Sequence, residues 1–369
     1  MKIGKIILSL IIVFFFFSTP AFALDTSIEE GDSFFRAEVL EVLEERKVEF
    51  SEGEERLQQN LKLLGLEGDY AGEEVVFEGI ADFELLDDRV YGVGDKVLVV
   101  ATRDAQGGEH FYITDYVRTN YLWLLGGIFV LVILFTAKWK GLRSLISLGI
   151  SLAIVVGFIV PKIVSGSNPV IVTLLGSFAA LLIIVYVTEG WKPRSHLAVS
   201  SIFLSLLLTL FLSWSFIKLA YLTGITGEET DLILGGLATD MNFQGLLLAG
   251  IVIGSLGFLG DMVISQVATT EEIHSTNNYL TKSKLFKKAY RVGASHISSM
   301  VNTLFLAYAG ASLPLLIIFS NPQSPFGSWI HIINTEAIAT EIVRTLCGSI
   351  GLVLAVPLAT GLAVWYYKR

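Results

Sequence analysis

The chain has one cysteine, Cys347, in 369 residues. That excludes a disulfide framework and a cysteine-built zinc site. No G-x-x-x-x-G-K-[ST] run is present to cradle nucleotide phosphates, and no H-E-x-x-H pair to hold a catalytic zinc. The five histidines, His110, His196, His274, His296 and His331, are scattered. Charge is scarce as well, at 17% of residues against 53% hydrophobic. The mean hydropathy is +0.65. A soluble domain carries about 25% charged residues, so the shortfall points to a membrane protein. No basic stripe is present to engage phosphates, which excludes a nucleic-acid binder.

The net charge of −9 is an average over unlike parts. Residues 24–120 hold 25 acids against 9 bases, whereas residues 121–369 hold 10 acids against 15 bases. Residues 1–23 read as a secretory signal peptide or an uncleaved signal anchor. Lys2 and Lys5 precede an apolar run from Ile6 to Phe17, and Ala21-Phe22-Ala23 forms an A-x-A cleavage pattern. Seven apolar segments follow, at roughly 121–137, 142–160, 169–188, 197–218, 243–266, 297–320 and 343–366. If residues 24–120 are exported, the connections expected inside carry twelve bases and those expected outside carry two, Lys162 and Lys218. The positive-inside rule therefore places the C-terminus in the cytoplasm. The expected architecture is an α-helical polytopic membrane bundle of about seven transmembrane helices, residues 121–369. It follows an extracytoplasmic, β-barrel-like domain at 24–120.

That exported domain shows strand patterning. Phe35, Ala37 and Val39 alternate with Arg36 and Glu38, and Glu74–Glu78 and Lys96–Val100 are short β-branched runs. Gly68-Asp69, Gly92-Val93-Gly94-Asp95 and Gln106-Gly107-Gly108 are turn signals between such runs. Five or six short strands predict a small barrel like an OB-fold, an architecture that by itself implies no activity. The clusters Asp87-Asp88 and Glu52, Glu54, Glu55 lack the ligand spacing of a calcium loop and read as solvated surface. No metal site and no cofactor is expected.

Within the spans, Asp261 is the only acid well inside a segment. An ionisable group there is costly and faces a polar interior or a partner. A pair of intramembrane carboxylates, as an aspartyl protease needs, is missing, so no catalytic residue is assigned. At 100° per residue Gly250, Gly254, Gly257, Asp261 and Ser265 share one face, and the spacing of Gly250 and Gly254 allows close helix approach. Ser295, Ser298, Asn302 and Ala309 form a stripe on the sixth segment. On the seventh, Glu341, Arg344, Gly348, Gly351 and Ala355 do the same. Asp261 and Asn302 each lie about five residues from the same end of their segments, which predicts one layer. There Asn302 could donate to the Asp261 carboxylate, with Ser265 and Thr303 nearby. Glu341 and Arg344, three residues apart at the outer end, are placed to pair with each other.

The functional reading of the Asp261–Asn302 layer is a site for a solute, ion or proton. The structural alternative is a polar clasp between helices. The long inner connection 267–296 holds Lys282, Lys284, Lys287, Lys288 and Arg291 beside apolar positions. It reads as a basic interfacial helix on anionic lipid, or a docking point for a cytoplasmic partner. The outer connection 219–242 carries Glu228, Glu229, Asp231 and Asp240. No inverted repeat is evident.

The stretch Gly254-Ser-Leu-Gly-Phe-Leu-Gly-Asp261-Met-Val-Ile-Ser265, then Ser299-Met-Val-Asn302-Thr-Leu-Phe-Leu-Ala-Tyr308, resembles the YibE/F family of bacterial membrane proteins. The later Glu341-Ile-Val-Arg344-Thr-Leu-Cys-Gly348-Ser-Ile-Gly351 with Pro357 is similar to that family's last helix. The resemblance spans most of 34–366, including the Gly92–Asp95 turn. Asp261, Ser265, Asn302, Thr303, Glu341 and Arg344 match the family pattern, while His296 stands where an acid is expected. The resemblance implies a multi-pass protein of the bacterial cell membrane, described as a permease. A transporter of a small solute or ion, proton-coupled through Asp261, is the leading expectation. The alternative is a scaffold or sensor that joins an exported binding domain to a cytoplasmic partner. A homo-oligomer would fit either reading.

Overall fold

The computed structural model describes residues 33–51, 54–80, 89–103, 108–226, 241–320 and 328–368. The expected signal 1–23, the acids Glu52, Asp87 and Asp88, and Glu228, Glu229, Asp231 and Asp240 lie outside the described residues. The chain forms two compact units, residues 22–135 and residues 136–369. The division falls within the first long helix.

The first unit is a five-stranded antiparallel sheet of order β3-β2-β1-β4-β5. Its strands are β1 Ser33–Ser51, β2 Glu54–Gly65, β3 Glu74–Glu78, β4 Lys96–Arg103 and β5 Glu109–Tyr116. Alternation puts Phe35, Ala37 and Val39 of β1 inward, against Leu63 of β2 and Val97 and Val99 of β4. Tyr70 stacks on Phe35 at a centroid distance of 4.7 Å, and Phe111 meets both rings edge-on. β1 runs for 19 residues, against the short strands expected, because bulges after Val39, Val42 and Glu49 let it bend without ending. The sheet curls until β3 and β5 come near one another, but no ladder joins them. The result is a half-barrel rather than a closed barrel.

Two polar devices shape this sheet. Gln59, buried in β2, accepts from the Tyr91 amide at 2.8 Å and donates to the Tyr91 carbonyl at 3.2 Å. The Gly92–Asp95 turn then folds onto the first bulge, where the Gly94 amide donates to the Val39 carbonyl at 2.8 Å. Gly94 has φ +90°, a conformation that glycine adopts without strain.

The helices are α1 Thr119–Val164, α2 Pro169–Glu189, α3 Pro193–Leu219, α4 Phe243–Thr276, α5 Lys282–Ala311, α6 Leu313–Ser320, α7 Trp329–Ile333 and α8 Glu336–Tyr367. Five of them, α1, α2, α3, α4 and α8, are long and apolar enough to cross a membrane. Seven such helices were expected, so the count differs at two places. The first two expected segments are one stretch, α1, broken by a non-helical backbone at Lys138. The sixth segment is divided at Ser312 between α5 and the short α6, and the part of α5 beyond its basic start carries Ser295, His296, Ser298, Ser299 and Asn302, which leave no membrane-length apolar run within one helix. The expected connection 267–296 is also not a loop. α4 continues to Thr276 and α5 starts at Lys282, so five residues turn the chain between two long helices.

Local chemistry sets these ends. Asn168 accepts from the amides of Val170 and Ile171, and Pro169 opens α2. Asn242 caps α4, and Thr281 caps α5. Pro161 has no amide to donate, and the preceding turn, Val155–Ile159, widens into a π-helix.

α4 is the hub of the second unit and packs on α2, α3, α5 and α8. Leu259 and Val263 of α4 meet Leu181 of α2, Ile202 and Leu206 of α3, and Ala355 and Ala359 of α8 in one core. The α3 face toward the core carries Ser201, Ser205, Thr209 and Ser213, four buried hydroxyls spaced four residues apart. Ser205 donates to the Ser201 carbonyl at 2.8 Å and Thr209 to the Ser205 carbonyl at 2.9 Å. Ser205 and Thr209 thus turn back onto their own helix, and the small residues leave a narrow face. Gly351 of α8 sits on it so closely that a Cβ there would collide with Thr209. At the start of α8 one carboxylate oxygen of Glu336 accepts from the Thr223 hydroxyl at 2.7 Å and the Gly224 amide at 2.8 Å. It takes a further bond from the Thr223 amide.

Gly351→Ala is expected to destabilise the helical unit by about 1–3 kcal/mol through overpacking. Gly361→Ala, where no atom stands within 4 Å, is expected to leave it unchanged. Thermal midpoints of the full chain in detergent compare the two. In the sheet unit, Asp115 accepts from Arg118 at 2.6 Å and pairs with Arg89. Those cations, with the Tyr116 amide, hold the Asp115 carboxyl down at about 2. A depressed folded pKa gives stability that is present above the unfolded value, about 3.9. That stability is lost as pH falls through about 2. The thermal midpoint of Asp115→Asn should therefore lie below wild type at pH 6, and the gap should close between pH 4 and pH 2.

Candidate functional site

The α4 face selected by periodicity is open in this chain. Gly250, Gly254, Gly257, Asp261 and Ser265 are all exposed, whereas Leu256, Leu259, Met262, Val263 and Gln266 are buried. Asp261 makes no hydrogen bond or ion pair among the described residues. On α5, Ser295, Ser298 and Asn302 are exposed too. Thr303 donates to the Ser299 carbonyl of its own helix at 3.0 Å.

The register between α4 and α5 follows from two contacts. A Cβ at Gly293 would meet Gln266, and one at Gly254 would stand 3.4 Å from the Tyr308 hydroxyl. The helices are therefore antiparallel. The first contact sets Ser298 level with Asp261 and the second Val301, so Asn302 lies within about one turn of the Asp261 layer. Among the described residues no hydrogen bond joins Asp261 to Asn302. α4 runs ten residues past the expected end at 266, and α5 begins at Lys282, ahead of the expected start at 297.

The polar group that does join these helices is Gln266. It is buried, and its amide donates to the Ala289 carbonyl of α5 at 3.0 Å and to the Thr360 hydroxyl of α8 at 2.7 Å. Periodicity gave no hint of it, since it stood at the last position of the expected segment. The glycines also divide. Gly348 packs against Phe258 and Gly351 against Thr209, but nothing lies within 4 Å of a Cβ at Gly250 or Gly257. The last two are thus not helix-packing residues in this chain.

Toward the Glu336 end, Arg344 donates to Glu341 at 2.8 Å, and both side chains are about a quarter to a third exposed. α8 runs parallel to α4, with Phe258 beside Gly348 and Gln266 beside Thr360. Arg344 therefore lies more than a full turn from Asp261 along the axis. Between α5 and α8 is a cleft of about 260 Å³, lined by Phe305, Tyr308, Glu341, Ile342 and Leu346 among others. Tyr308 belongs to this cleft and also touches the Gly254 face, and its hydroxyl is within electrostatic reach of Glu341 and Arg344. At the opposite end of the bundle Arg194 binds Glu189 at 2.8 Å and Glu271 at 3.4 Å, tying the α2–α3 turn to α4. No cluster of three potential metal ligands occurs among the described residues.

A half-barrel sheet ahead of a bundle with five membrane-length apolar helices defines a polytopic membrane protein with a separate β domain. Residues 125–369 match the family described as YibE/F-like protein, and the chain belongs to it. That match covers all of the bundle's described helices except the first turns of α1. No curated protein and no solved structure matches the chain.

Gln266→Leu is expected to destabilise the helical unit by about 1 kcal/mol, the usual worth of an interhelical hydrogen bond in a membrane. In a double-mutant cycle with Thr360→Ala the losses should fall short of additivity, since both variants remove the same bond. Full additivity would show that Gln266 and Thr360 act separately.

Proposed function

We propose that the protein is a transporter of a small solute or ion, with Asp261 as its ionisable binding group. One observation carries this reading: an unpartnered carboxylate stands on an open face of glycines, deep in a helix of membrane length. A structural carboxylate would hold a partner, as Arg194 holds Glu189 and Glu271. A carboxylate without one is free to exchange a proton or a cation, which supports proton coupling. Ser298 and Ser265 flank it with hydroxyls, and Asn302 adds an amide about one turn away. No catalytic role is assigned to any residue.

The proposed topology has seven crossings. The break at Lys138 makes two of α1, and α5 with α6 supplies the sixth. The distribution of bases supports an exported sheet domain and a cytoplasmic C-terminus in the bacterial cell membrane. A second reading, a scaffold that docks a cytoplasmic partner, draws on the start of α5, where Lys284, Lys287, Lys288 and Arg291 are exposed.

Proton flux into proteoliposomes, followed with an internal pH dye under an imposed membrane potential, tests the leading reading. Wild type should exceed protein-free vesicles, and Asp261→Asn should fall back toward them by about tenfold, as loss of an in-span carboxylate that holds no partner requires. Equal flux from Asp261→Asn and wild type would remove Asp261 from the mechanism.

A further inference from the structure

The basic start of α5 is not a separate interfacial segment. It belongs to one helix that runs unbroken from Lys282 to Ala311, so it cannot lie flat on a membrane. Its orientation is fixed by packing. Leu285, Ala289 and Gly293 are buried, and Gln266 of α4 donates to the Ala289 carbonyl at 3.0 Å. At 100° per residue Lys284, Lys287, Lys288 and Arg291 fall on the opposite side, within an arc of about 100°. All four are exposed. They point sideways from the bundle rather than off its end.

The neighbouring helices set the depth of this face. Glu271 and Glu272 lie five and six residues past Gln266, and Lys287 and Lys288 lie as far before Gly293, which touches Gln266. The antiparallel helices therefore become charged at one level, to within about a turn. The α2–α3 turn joins that level through Arg194, which binds Glu189 at 2.8 Å and Glu271 at 3.4 Å. Exposed aromatic rings mark it too. Trp191 stands in the α2–α3 turn, Tyr290 next to Ala289, and Trp365 five residues past Thr360, the α8 partner of Gln266. Tryptophan and tyrosine gather where hydrocarbon meets water, so this layer is one boundary of the bilayer.

The charges in the layer differ in what they hold. Glu189, Arg194 and Glu271 neutralise one another. Among the described residues Lys284, Lys287, Lys288 and Arg291 hold no carboxylate, and Glu272 forms no ion pair with them. From Lys284 to Arg291 is about 10 Å along the helix. Four unbalanced cations thus face sideways at the depth of the lipid phosphates.

We propose that this face of α5 is a docking surface for anionic phospholipid headgroups of the adjoining leaflet. Arg291, nearest the hydrocarbon, offers a forked guanidinium to a lipid phosphate. The three lysines, further out, meet the remaining headgroup charge. Ser295, exposed one turn deeper on the same side, lies at the depth of the lipid esters. The bond from Gln266 holds the face at that depth. A lipid fits the sideways aim of the cations, which a protein approaching the end of the bundle does not. The surface does not depend on the transporter reading.

Native mass spectrometry of the full chain, from micelles holding equal phosphatidylglycerol and phosphatidylcholine, tests it. Wild type should retain phosphatidylglycerol about tenfold over phosphatidylcholine. Changing Lys284, Lys287, Lys288 and Arg291 together to Gln should bring the two lipids within about twofold. Its retention of phosphatidylcholine should match wild type, which reports an intact fold. Lys140→Gln with Arg143→Gln, exposed bases of α1, should leave the preference in place. Without any substitution, raising ammonium acetate from about 0.05 M to about 0.5 M should cut the wild-type preference about fivefold. Equal retention of the two lipids by wild type would overturn the surface and leave the face to a cytoplasmic protein. A preference kept by the Gln variant would overturn it as well. So would displacement of phosphatidylglycerol by about 10 mM inorganic phosphate at constant ionic strength, which would assign the cations to a soluble anion.

Discussion

The helical unit depends on how closely α8 approaches α3. Gly351 has no side chain to hold Thr209 off, and the α3 face presents only small hydroxyl residues, of which Ser205 and Thr209 bond their own backbone. Between apolar lipid tails and apolar helices there is little hydrophobic drive to associate. Short interaxial distance and dense packing must supply the affinity instead, and small residues are the means. With α8 seated, α4 is enclosed on three sides by α2, α3 and α8, and Gln266 reaches both α5 and α8. The remaining side of α4 is the one that carries Asp261. The open face is thus a consequence of where the tight face lies.

The two units keep polar chemistry in different ways. In the sheet, ion pairs sit at the surface, as between Arg36 and Glu67 at 2.5 Å, and Arg103 and Glu109 at 2.6 Å. Arg36 and Arg103 are held above their ordinary values, and Glu67 below, by these partners. Such exposed pairs add little stability. Among the helices, several long polar side chains are committed: Glu336 to the Thr223–Gly224 turn after α3, Arg194 to two carboxylates, Gln266 to two helices. Asp261 stands out against that background.

Much of this was legible in the sequence. The alternation of Phe35, Ala37 and Val39 is the inward face of β1, and the exposed stripe of α4 is the one that 100° steps select. Boundaries were less legible. Hydropathy ends a segment at the first charges, but α4 runs on through Glu271 and Glu272 because helix geometry does not require apolar residues beyond the span. The hydroxyl column was present as a four-residue period in Ser201, Ser205, Thr209 and Ser213, yet a scan for charges passes over it. Tyr308 was hidden for a different reason. Its position beside α4 depends on Gly254, 54 positions earlier, and neither residue is unusual by itself.

The bond from Glu336 to Thr223 and Gly224 joins residues 112 and 113 positions apart. α8 also leaves the ribosome after α3, α4 and α5. The hydroxyl face of α3 must therefore wait in the bilayer through the synthesis of α4 and α5 before its cover arrives. During that interval Ser205 and Thr209 bond their own backbone, which eases the exposure of the uncovered helix to lipid. The bundle is closed by α8, and a chain stopped short of residue 351 would present an unfinished surface to the membrane's quality control.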